Sequence, residues 1–384
     1  MRVYVHLPRH LDSEAYRARY HRGIEPDVTP YGFHHAQSIG FDTTLSRSAN
    51  GGRRTLLERI TRKLIYVDLG HVWRNRRAIA EADIVWTMLE HEALSVAMMM
   101  WLGFVPRRPI IGGTVWMVDR WNSLDVARRH LLQKLVSYWS LLLVHSEACL
   151  EPARRYFPNV PVELMYFGVS ADTFLADLAV PPAQSPIIIA GVGNDTTRDW
   201  GTLLEAFGND SRFRLVIVCS WIDPELRARY NNMEVRPISS MEEFRAVYRE
   251  ASYVAVPMKD NMYSGITVAL EAVALGVPVL SSRTGGVPTY FGEDEMLFVP
   301  PGDPSAMRDA VLSQSETDRK AMAARARQLY IEQDYSSFGM MKRYAALTER
   351  ILDNRKEKIH DCHAAQRHLP HQGRHRRLGG RDRP

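Results

Sequence analysis

The sequence predicts two doubly wound α/β domains that face each other across a cleft. Short apolar runs typical of buried parallel strands alternate with helical patterns along most of the chain. In the second half, two glycine-containing turns each join such a strand to a helix. Three prolines at 181, 182 and 186 interrupt the alternation near the middle and mark a linker.

This pattern sets four expected regions. We expect an N-terminal Rossmann-like domain over 1–180 and a C-terminal Rossmann-like domain over 181–335. A helix over 336–353 is expected to cross back to the first domain. The basic tail over 354–384 has too little apolar content to fold by itself.

The individual elements follow from their apolar runs and from capping or turn residues at their ends. Strands are predicted over 2–7, 82–86, 109–113, 141–145, 162–166, 187–192, 215–219, 235–238, 253–257, 277–280 and 297–300. Helices are predicted over 56–80, 128–140, 146–157, 241–250, 266–275 and 336–352.

Composition restricts the class of protein. The 384 residues are 45% hydrophobic, enough for two cores, and no run of 18 uncharged apolar residues occurs. The first residues break at Pro8 and become charged, unlike a signal peptide. Three cysteines without metal or redox spacing indicate free thiols, so we expect a cytoplasmic protein without a dedicated metal site.

The predicted helix over 266–275 is apolar on nearly every side, which is typical of a buried helix. Ser264 is expected to cap it. The free amides of Gly265, Ile266 and Thr267 would then form an anion site suited to phosphate. Glu271 lies about two turns further along the same face, where a carboxylate suits the hydroxyls of a ribose.

A phosphate site beside a ribose site describes a nucleotide diphosphate. The alternative interpretation is a core helix in which Glu271 is paired with an arginine.

The first glycine turn of the second half points to the same ligand. Gly193 and Asn194 follow the strand over 187–192, and Arg198 could add a fixed positive charge on a diphosphate. Pairing of Arg198 with Asp195 or Asp199 is the alternative.

The segment SGITVALEAVALGVPVLSS, followed by a glycine pair, resembles the donor-binding segment of GT-B glycosyltransferases, especially retaining family 4 (group 1). That family usually carries two glutamates eight positions apart; Glu271 matches the second, whereas Tyr263 stands at the first. Arg198 falls on the family's phosphate-holding Lys or Arg, and the stretch with Pro237 on its nucleobase segment. Where the family usually has a histidine after an N-terminal strand, this chain has Thr114.

The resemblance implies a GT-B enzyme of the hexosyltransferase type. It would move a sugar from a UDP- or GDP-linked donor to a glycan or polyprenyl-linked acceptor, with retention of configuration, in bacterial envelope or exopolysaccharide synthesis. No cofactor or metal is implied; Arg198 and the helix amides would stabilise the leaving diphosphate. Glu90 and Asp119 follow predicted strands, so we consider both as the base.

The net charge of +5 includes a basic stretch over 53–77. This stretch reads as an amphipathic helix for an anionic membrane surface, or equally as a solvated helix face. No RRM, KH, zinc-finger or convincing helix-turn-helix signature indicates nucleic acid. An epimerase of the same fold and a non-catalytic glycan- or membrane-binding relative are the alternative functions.

Overall fold

Two parallel six-stranded sheets form the framework of the computed structural model, which describes residues 1–48, 59, 66–170 and 185–367. The predicted pair of doubly wound domains is therefore present. Every ladder between neighbouring strands is parallel. The carboxyl ends of the strands in each sheet consequently meet at one edge, where ligands bind in such folds.

The N-terminal sheet has the order β2-β1-β3-β4-β5-β6. Its strands are β1 (Arg2–Val5), β2 (Asp42–Leu45), β3 (Ile84–Thr87), β4 (Ile110–Gly113), β5 (Leu141–Val144) and β6 (Val162–Leu164). Its helices are α1 (Ser13–His21), α2 (His35–Ser38), α3 (Leu69–Glu81), α4 (Glu90–Trp101), α5 (Val126–Val136) and α6 (Glu147–Tyr156). Strands β3, β4 and β5 are buried along their whole length, which explains why their apolar runs do not alternate.

The C-terminal sheet has the order β12-β11-β10-β7-β8-β9. Its strands are β7 (Ile187–Val192), β8 (Phe213–Val218), β9 (Met233–Val235), β10 (Tyr253–Val256), β11 (Val279–Ser282) and β12 (Leu297–Val299). Its helices are α7 (Trp200–Phe207), α8 (Pro224–Arg229), α9 (Met241–Glu250), α10 (Ile266–Ala274), α11 (Pro304–Leu312) and α12 (Glu316–Glu332). The reversal of strand order between β7 and β10 places the loops after these two strands beside each other.

The last helix, α13 (Ser337–Arg367), returns to the first domain. Its residues Met340, Met341 and Tyr344 are buried in the core of the N-terminal sheet. It runs beyond the predicted end at residue 352, because residues such as Arg, Lys, Glu and Ala favour a helix even without burial. The helical stretch 354–367 thus corrects the expectation of an unstructured tail there, and residues 368–384 lie outside the described part.

Further elements differ from the prediction, and helices α1, α4, α8, α11 and α12 had no predicted range. Strand β2 was not expected, because this edge strand is half exposed and lacks a long apolar run. The helix predicted over 56–80 corresponds to α3 only from Leu69 onwards. Residues 49–58 and 60–65 lie outside the described residues, so most of that prediction is not addressed. Among the helices of the described ranges, none combines the length and apolarity needed to cross a membrane.

Candidate active site

A cavity of about 330 Å³ lies between the two domains. The loop after β7 and the start of α10 form its C-terminal wall, with residues Gly193, Asn194, Asp195, Arg198 and 263–268. Tyr31, Met88, Leu89, Thr114, Val115, His145, Ser146, Cys149 and Phe167 line it from the N-terminal domain. The structure therefore brings the two glycine turns of the second half together at one crevice.

Helix α10 opens onto this cavity in a way that corrects one prediction. Its cap is Gly265, with φ of +93°, and Ser264 makes no side-chain capping hydrogen bond. A Cβ at Gly265 would lie 2.8 Å from the Met258 sulfur, so this position needs glycine for both its conformation and its space. Within the described ranges, the amides of Ile266 and Thr267 have no hydrogen-bond acceptor, which leaves them available to an anion.

The loop before α10 is held by a network around Asn261. Its Oδ1 accepts from the amides of Tyr263 (3.0 Å) and Ser264 (2.7 Å). The amides of Gly285 and Gly286 donate to the carbonyls of Asn261 and Ser264 at 2.9 Å. The glycine pair noted in the sequence therefore braces the loop that presents the helix amides.

Arg198 is 3% exposed and lines the cavity beside these amides. Its Nε lies 3.4 Å from Asp195 Oδ2, a loose ion pair, and burial lowers the pKa of the guanidinium. Within the described part of the chain, its Nε and Nη1 atoms have no hydrogen-bond partner. A buried cation with unused donors at a crevice is suited to an anionic ligand.

The neighbouring turn is shaped around that guanidinium. Gly193 has φ of +146°, and a Cβ there would lie 2.3 Å from Arg198 Nε. The side chain of Asn194 faces the protein instead, because its Oδ1 accepts from the amide (2.7 Å) and hydroxyl (3.0 Å) of Ser220. The absence of a side chain at Gly193 therefore leaves room for the Arg198 guanidinium, and the hydrogen bonds of Asn194 hold the turn in place.

Glu271 lies on α10, 9% exposed, and accepts a hydrogen bond of 2.6 Å from the buried Tyr248 hydroxyl. Burial raises its pKa to about 7, while the Tyr248 bond and the charge of Arg198 oppose that rise. Glu271 does not line the cavity itself, although Thr267 one turn earlier does. Its contact with ribose stays a prediction, and Tyr248 is a partner that the sequence did not indicate.

The structure corrects the assignment of Glu90 as a base. This first residue of α4 is 4% exposed, and its carboxylate accepts from the amides of Val115 (3.0 Å) and Trp116 (3.1 Å). It lines a second cavity of about 430 Å³ behind that loop, not the one between the domains. Glu90 therefore positions the 115–116 loop.

Asp119 is also displaced from the predicted role. Its Oδ1 accepts from the Met262 amide at 3.0 Å, and it lines a separate cavity with Asp260 and Arg283. The Met262 carbonyl in turn accepts from the Ser146 hydroxyl at 2.5 Å. Ser146 occupies the N-cap position of α6, but its hydroxyl bonds Met262 instead of a helix amide and so joins the two domains. The backbone N–H and the backbone carbonyl of Met262 are thus both held by the N-terminal domain.

Two polar residues of the N-terminal wall were not nominated from the sequence. His145 follows β5 and is 7% exposed; its Nδ1 lies 2.8 Å from the Met165 carbonyl and must donate to it. Burial lowers the pKa of His145, which keeps the ring neutral and leaves Nε2 as an acceptor. Thr114 follows β4 and is 4% exposed. The position of both at strand ends is a signal that could have identified them.

Of the other predicted positions, Tyr263 lines the cavity and Pro237 does not. Tyr263 lines the cavity, half-buried, with its ring centroid 6.4 Å from that of Trp116. Pro237 is exposed and lies outside the cavity lining, so its contact with a nucleobase stays a prediction. Away from the cavity, ligand atoms of Asp27, His34 and His35 lie within 4.8 Å of one another, a grouping that could hold a metal ion.

The comparison with protein families gives a match within the second domain. Residues 188–316 match the family model "Glycosyl transferases group 1". Over this range the chain is similar to group 1 glycosyltransferases. The resemblance noted in the sequence is thereby confirmed, and the matched range contains Arg198, the 263–268 loop and Glu271.

Curated relatives match over the same kind of short stretch. A D-inositol 3-phosphate glycosyltransferase of Corynebacterium jeikeium is 45% identical over 71 residues, which are 18% of this chain and 16% of that protein. The putative colanic acid biosynthesis glycosyltransferase WcaL of Escherichia coli is 27% identical over 153 residues, 36% of this chain and 37% of that protein. This chain thus covers well under half of each relative.

Solved structures match over nearly the whole chain. Sucrose-phosphate synthase from Thermosynechococcus elongatus superposes with a TM-score of 0.70 at 17% identity, covering 92% of this chain and 100% of that one. Anabaena HepE in complex with UDP-glucose superposes with a TM-score of 0.63 at 11% identity, covering 91% and 99%. The two domains together therefore have the GT-B fold, and the range similar to group 1 glycosyltransferases lies in its second half.

Proposed function

We propose that this protein transfers a sugar from a nucleotide-diphosphate sugar to an acceptor in the cavity between its domains. The observation that carries the proposal is Arg198, a buried cation with unused donors, beside the free amides that begin α10. A glycosyltransferase must stabilise the charge that develops on a departing diphosphate, and a fixed cation with oriented amides does so without reorganising. UDP and UDP-glucose in the similarly folded HepE complexes support this class of donor.

The chemistry assigned to the cavity is a displacement at the anomeric carbon. An acceptor hydroxyl forms a bond to that carbon on the face from which the diphosphate departs, as retention requires. The bond to the phosphate oxygen breaks, and its electron pair remains on the diphosphate. Arg198 and the amides of Ile266 and Thr267 balance that charge as it grows. Glu271 takes the ribose hydroxyls, and Pro237 lies beside the base of a UDP or GDP moiety.

The direct test is a panel of UDP-, GDP- and ADP-linked sugars, with hydrolysis in the absence of an acceptor as the readout. We expect at least one to be hydrolysed and the free nucleotide to raise the melting temperature. Arg198→Ala should lower turnover by more than tenfold, since it removes a charge that acts in the transition state. A protein that neither binds nor cleaves any nucleotide sugar would contradict the proposal.

Glu271→Ala should reduce the melting-temperature shift produced by UDP or GDP, because the ribose loses its carboxylate partner. A shift equal to that of the unmodified protein would remove Glu271 from the nucleotide site. Thr348→Ser, far away on α13, keeps a hydroxyl for Trp86 and serves as a control that leaves nucleotide binding unchanged.

Gly193→Ala tests the shape of the turn beside Arg198. The added Cβ would collide with the guanidinium, so we expect the nucleotide-induced shift to fall sharply. The matched control is Gly201→Ala on the exposed side of α7. Its Cβ would meet only Asp199 Oδ1 at 3.6 Å, and the change should leave binding intact while stabilising the helix by about 0.5–1 kcal/mol. Equal binding by both variants would contradict the fit of Gly193 to Arg198.

The proposal extends to the acceptor, the transferred sugar and its anomeric configuration. The acceptor is a glycan or a polyprenyl-linked sugar of envelope or exopolysaccharide synthesis in the cytoplasm. The similarity to WcaL, a putative colanic acid biosynthesis glycosyltransferase, supports that context. The transferred group is a hexose, its configuration is retained, and no metal takes part. NMR of the anomeric proton in the first product distinguishes retention from inversion.

A nucleotide-sugar epimerase of the same fold and a non-catalytic relative are the competing functions. An epimerase would convert the donor sugar without an acceptor, so analysis of the sugar released or altered separates it from a transferase. A non-catalytic relative would bind a nucleotide or glycan without turnover. The departure at Tyr263, where the family usually has glutamate, is the feature that favours it.

Association with an anionic membrane is also proposed for the basic stretch 53–77. Its described part on α3 supports the proposal. The stretch 73–77, WRNRR, holds three arginines and no acid, and Trp73, 47% exposed, contacts Phe104, 55% exposed, at 5.8 Å between ring centroids. Aromatic rings among arginines suit the headgroup region of a bilayer.

Sedimentation with phosphatidylglycerol vesicles tests this surface. Arg74→Glu with Arg77→Glu should release the protein, and Trp73→Ala should weaken its binding. Neutral phosphatidylcholine vesicles are the control. Retention of the arginine variant on anionic vesicles would contradict a docking role for α3.

A further inference from the structure

The N-terminal wall of the cavity contains two buried polar atoms that have no partner in the described ranges. They are the Nε2 atom of His145 and the hydroxyl of Thr114. Both residues line the cavity, and both are more than nine-tenths buried. A buried polar group without a hydrogen bond costs about 1–3 kcal/mol, so such atoms at a cavity wall call for a ligand.

The fold fixes both residues at the ends of neighbouring strands. Gly113 is in register with Leu143, and the Thr114 amide donates to the Leu143 carbonyl at 2.9 Å. The His145 ring is held by its Nδ1 bond to the Met165 carbonyl and by edge-on contact with Phe167 at 5.8 Å. The hydroxyl of Tyr290, from the C-terminal domain, donates to the His145 carbonyl at 3.1 Å. These contacts leave only Nε2 for a ligand.

The carboxylates considered earlier for the base are engaged elsewhere. Glu90 holds two backbone amides, and Asp119 holds the Met262 amide. Neither lines the cavity that contains Arg198. His145 is therefore the side chain of this wall that offers a nitrogen lone pair opposite the donor half of the cavity.

We propose that His145 Nε2 accepts the hydrogen bond of the attacking acceptor hydroxyl and takes its proton as the new glycosidic bond forms. Thr114 holds a neighbouring polar atom of the acceptor. The bond from the anomeric carbon to the phosphate oxygen breaks, its electron pair stays on the diphosphate, and the imidazolium then carries the proton. This role rests on the proposed transfer of a sugar.

Both atoms are shielded from solvent in the structure. A hydroxyl therefore reaches Nε2 only after the two domains part and close again around the substrates. Such closure also excludes bulk water from the activated donor.

The test uses the nucleotide sugar that the unmodified protein hydrolyses fastest, with water in place of the acceptor. His145→Asn keeps a donor for the Met165 carbonyl but lacks Nε2. We expect kcat for hydrolysis to fall by about 100-fold, as for loss of a general base, with the Kd for free UDP or GDP unchanged. Thr114→Val should lower kcat less and also leave that Kd unchanged.

Added imidazole distinguishes the loss of a proton acceptor from a structural defect of the variant. It should restore part of the hydrolysis in His145→Ala. The matched control is His71→Ala, another buried histidine whose Nε2 contacts the Leu7 carbonyl at 3.2 Å and which does not line the cavity. That variant should show neither the loss of kcat nor rescue.

An unchanged kcat in folded His145→Asn would overturn the role of His145, and so would a loss confined to nucleotide affinity. Failure of the proposed function is a distinct result. In that case the unmodified protein itself would neither bind free nucleotides nor cleave any nucleotide sugar.

Discussion

Glu271 combines a buried carboxyl with a tyrosine donor and a nearby arginine, which makes it sensitive to pH. Its pKa is about 7 in the folded chain against an ordinary value of 4.5. The folded state therefore binds an extra proton between those values. The stability that this proton contributes is fully present below about pH 4.5 and is lost as the pH rises through about 7.

We expect Glu271→Gln to flatten the fall in melting temperature between pH 5 and about 7.5, because the amide does not ionise. The measurement is thermal unfolding at several pH values without nucleotide. Glu205→Gln, on the exposed face of α7, is the matched control and should keep the slope of the unmodified protein. An identical slope in Glu271→Gln would mean that this carboxyl titrates as an ordinary glutamate.

Among the elements, α13 shows how one helix ties the chain together. Its Thr348 hydroxyl accepts from the indole nitrogen of the fully buried Trp86 at 2.9 Å. Its Tyr344 hydroxyl donates to the Thr87 carbonyl at 3.0 Å. The carboxyl end of β3 is therefore fixed by a helix that follows the second domain in sequence.

Thr348→Val should destabilise the protein by about 1–3 kcal/mol, because it leaves the Trp86 indole N–H buried without an acceptor. Chemical denaturation with tryptophan fluorescence measures the loss. Glu349→Ala, at the exposed neighbouring position, provides the comparison and should change the free energy of unfolding by less than about 0.5 kcal/mol. Equal stabilities would show that the indole is satisfied in another way.

The local pattern of the sequence was sufficient to predict all strands except β2, because parallel strands buried on both faces read as continuous apolar runs. It predicted only part of the helices, since α1, α4, α8, α11 and α12 had no predicted range. It also predicted α10, whose end is marked by Gly276 with φ of +73°. It could not predict that Ser264 leaves the capping position to Gly265, since that depends on the glycine pair packed behind the loop.

The positions of Glu90 and Asp119 outside the cavity with Arg198 were not predicted, for a related reason. Both follow the carboxyl ends of strands, as ligand-binding residues do. Their carboxylates, however, accept hydrogen bonds from backbone amides of loops distant in sequence. Periodicity and spacing carry no information about such tertiary partners. The opposite holds for Arg198 and the 263–268 loop, because their order along a doubly wound domain determines that they meet.

On the scale of the whole molecule, polar contacts around Met262 join the two domains, together with the Tyr290–His145 bond and helix α13. Removing the partners of Met262 with Asp119→Ala and Ser146→Ala should cost about 2 kcal/mol of closure, roughly a 30-fold shift toward the open arrangement. We expect small-angle X-ray scattering to show a larger radius of gyration without nucleotide. Glu151→Ala on the exposed face of α6 is the control, and an unchanged radius in the double variant would show that these bonds do not hold the domains together.

The two hydrogen bonds to the Met262 backbone have a consequence for the order in which substrates bind. The same short loop carries the tyrosine and amides of the proposed donor site, and its Met262 backbone is hydrogen-bonded by groups from the N-terminal domain. When the two domains separate, the proposed phosphate site loses the hydrogen bonds that support its loop. In the proposed reaction, the sugar donor is therefore bound firmly only in the closed arrangement, which limits its hydrolysis until the acceptor has also bound.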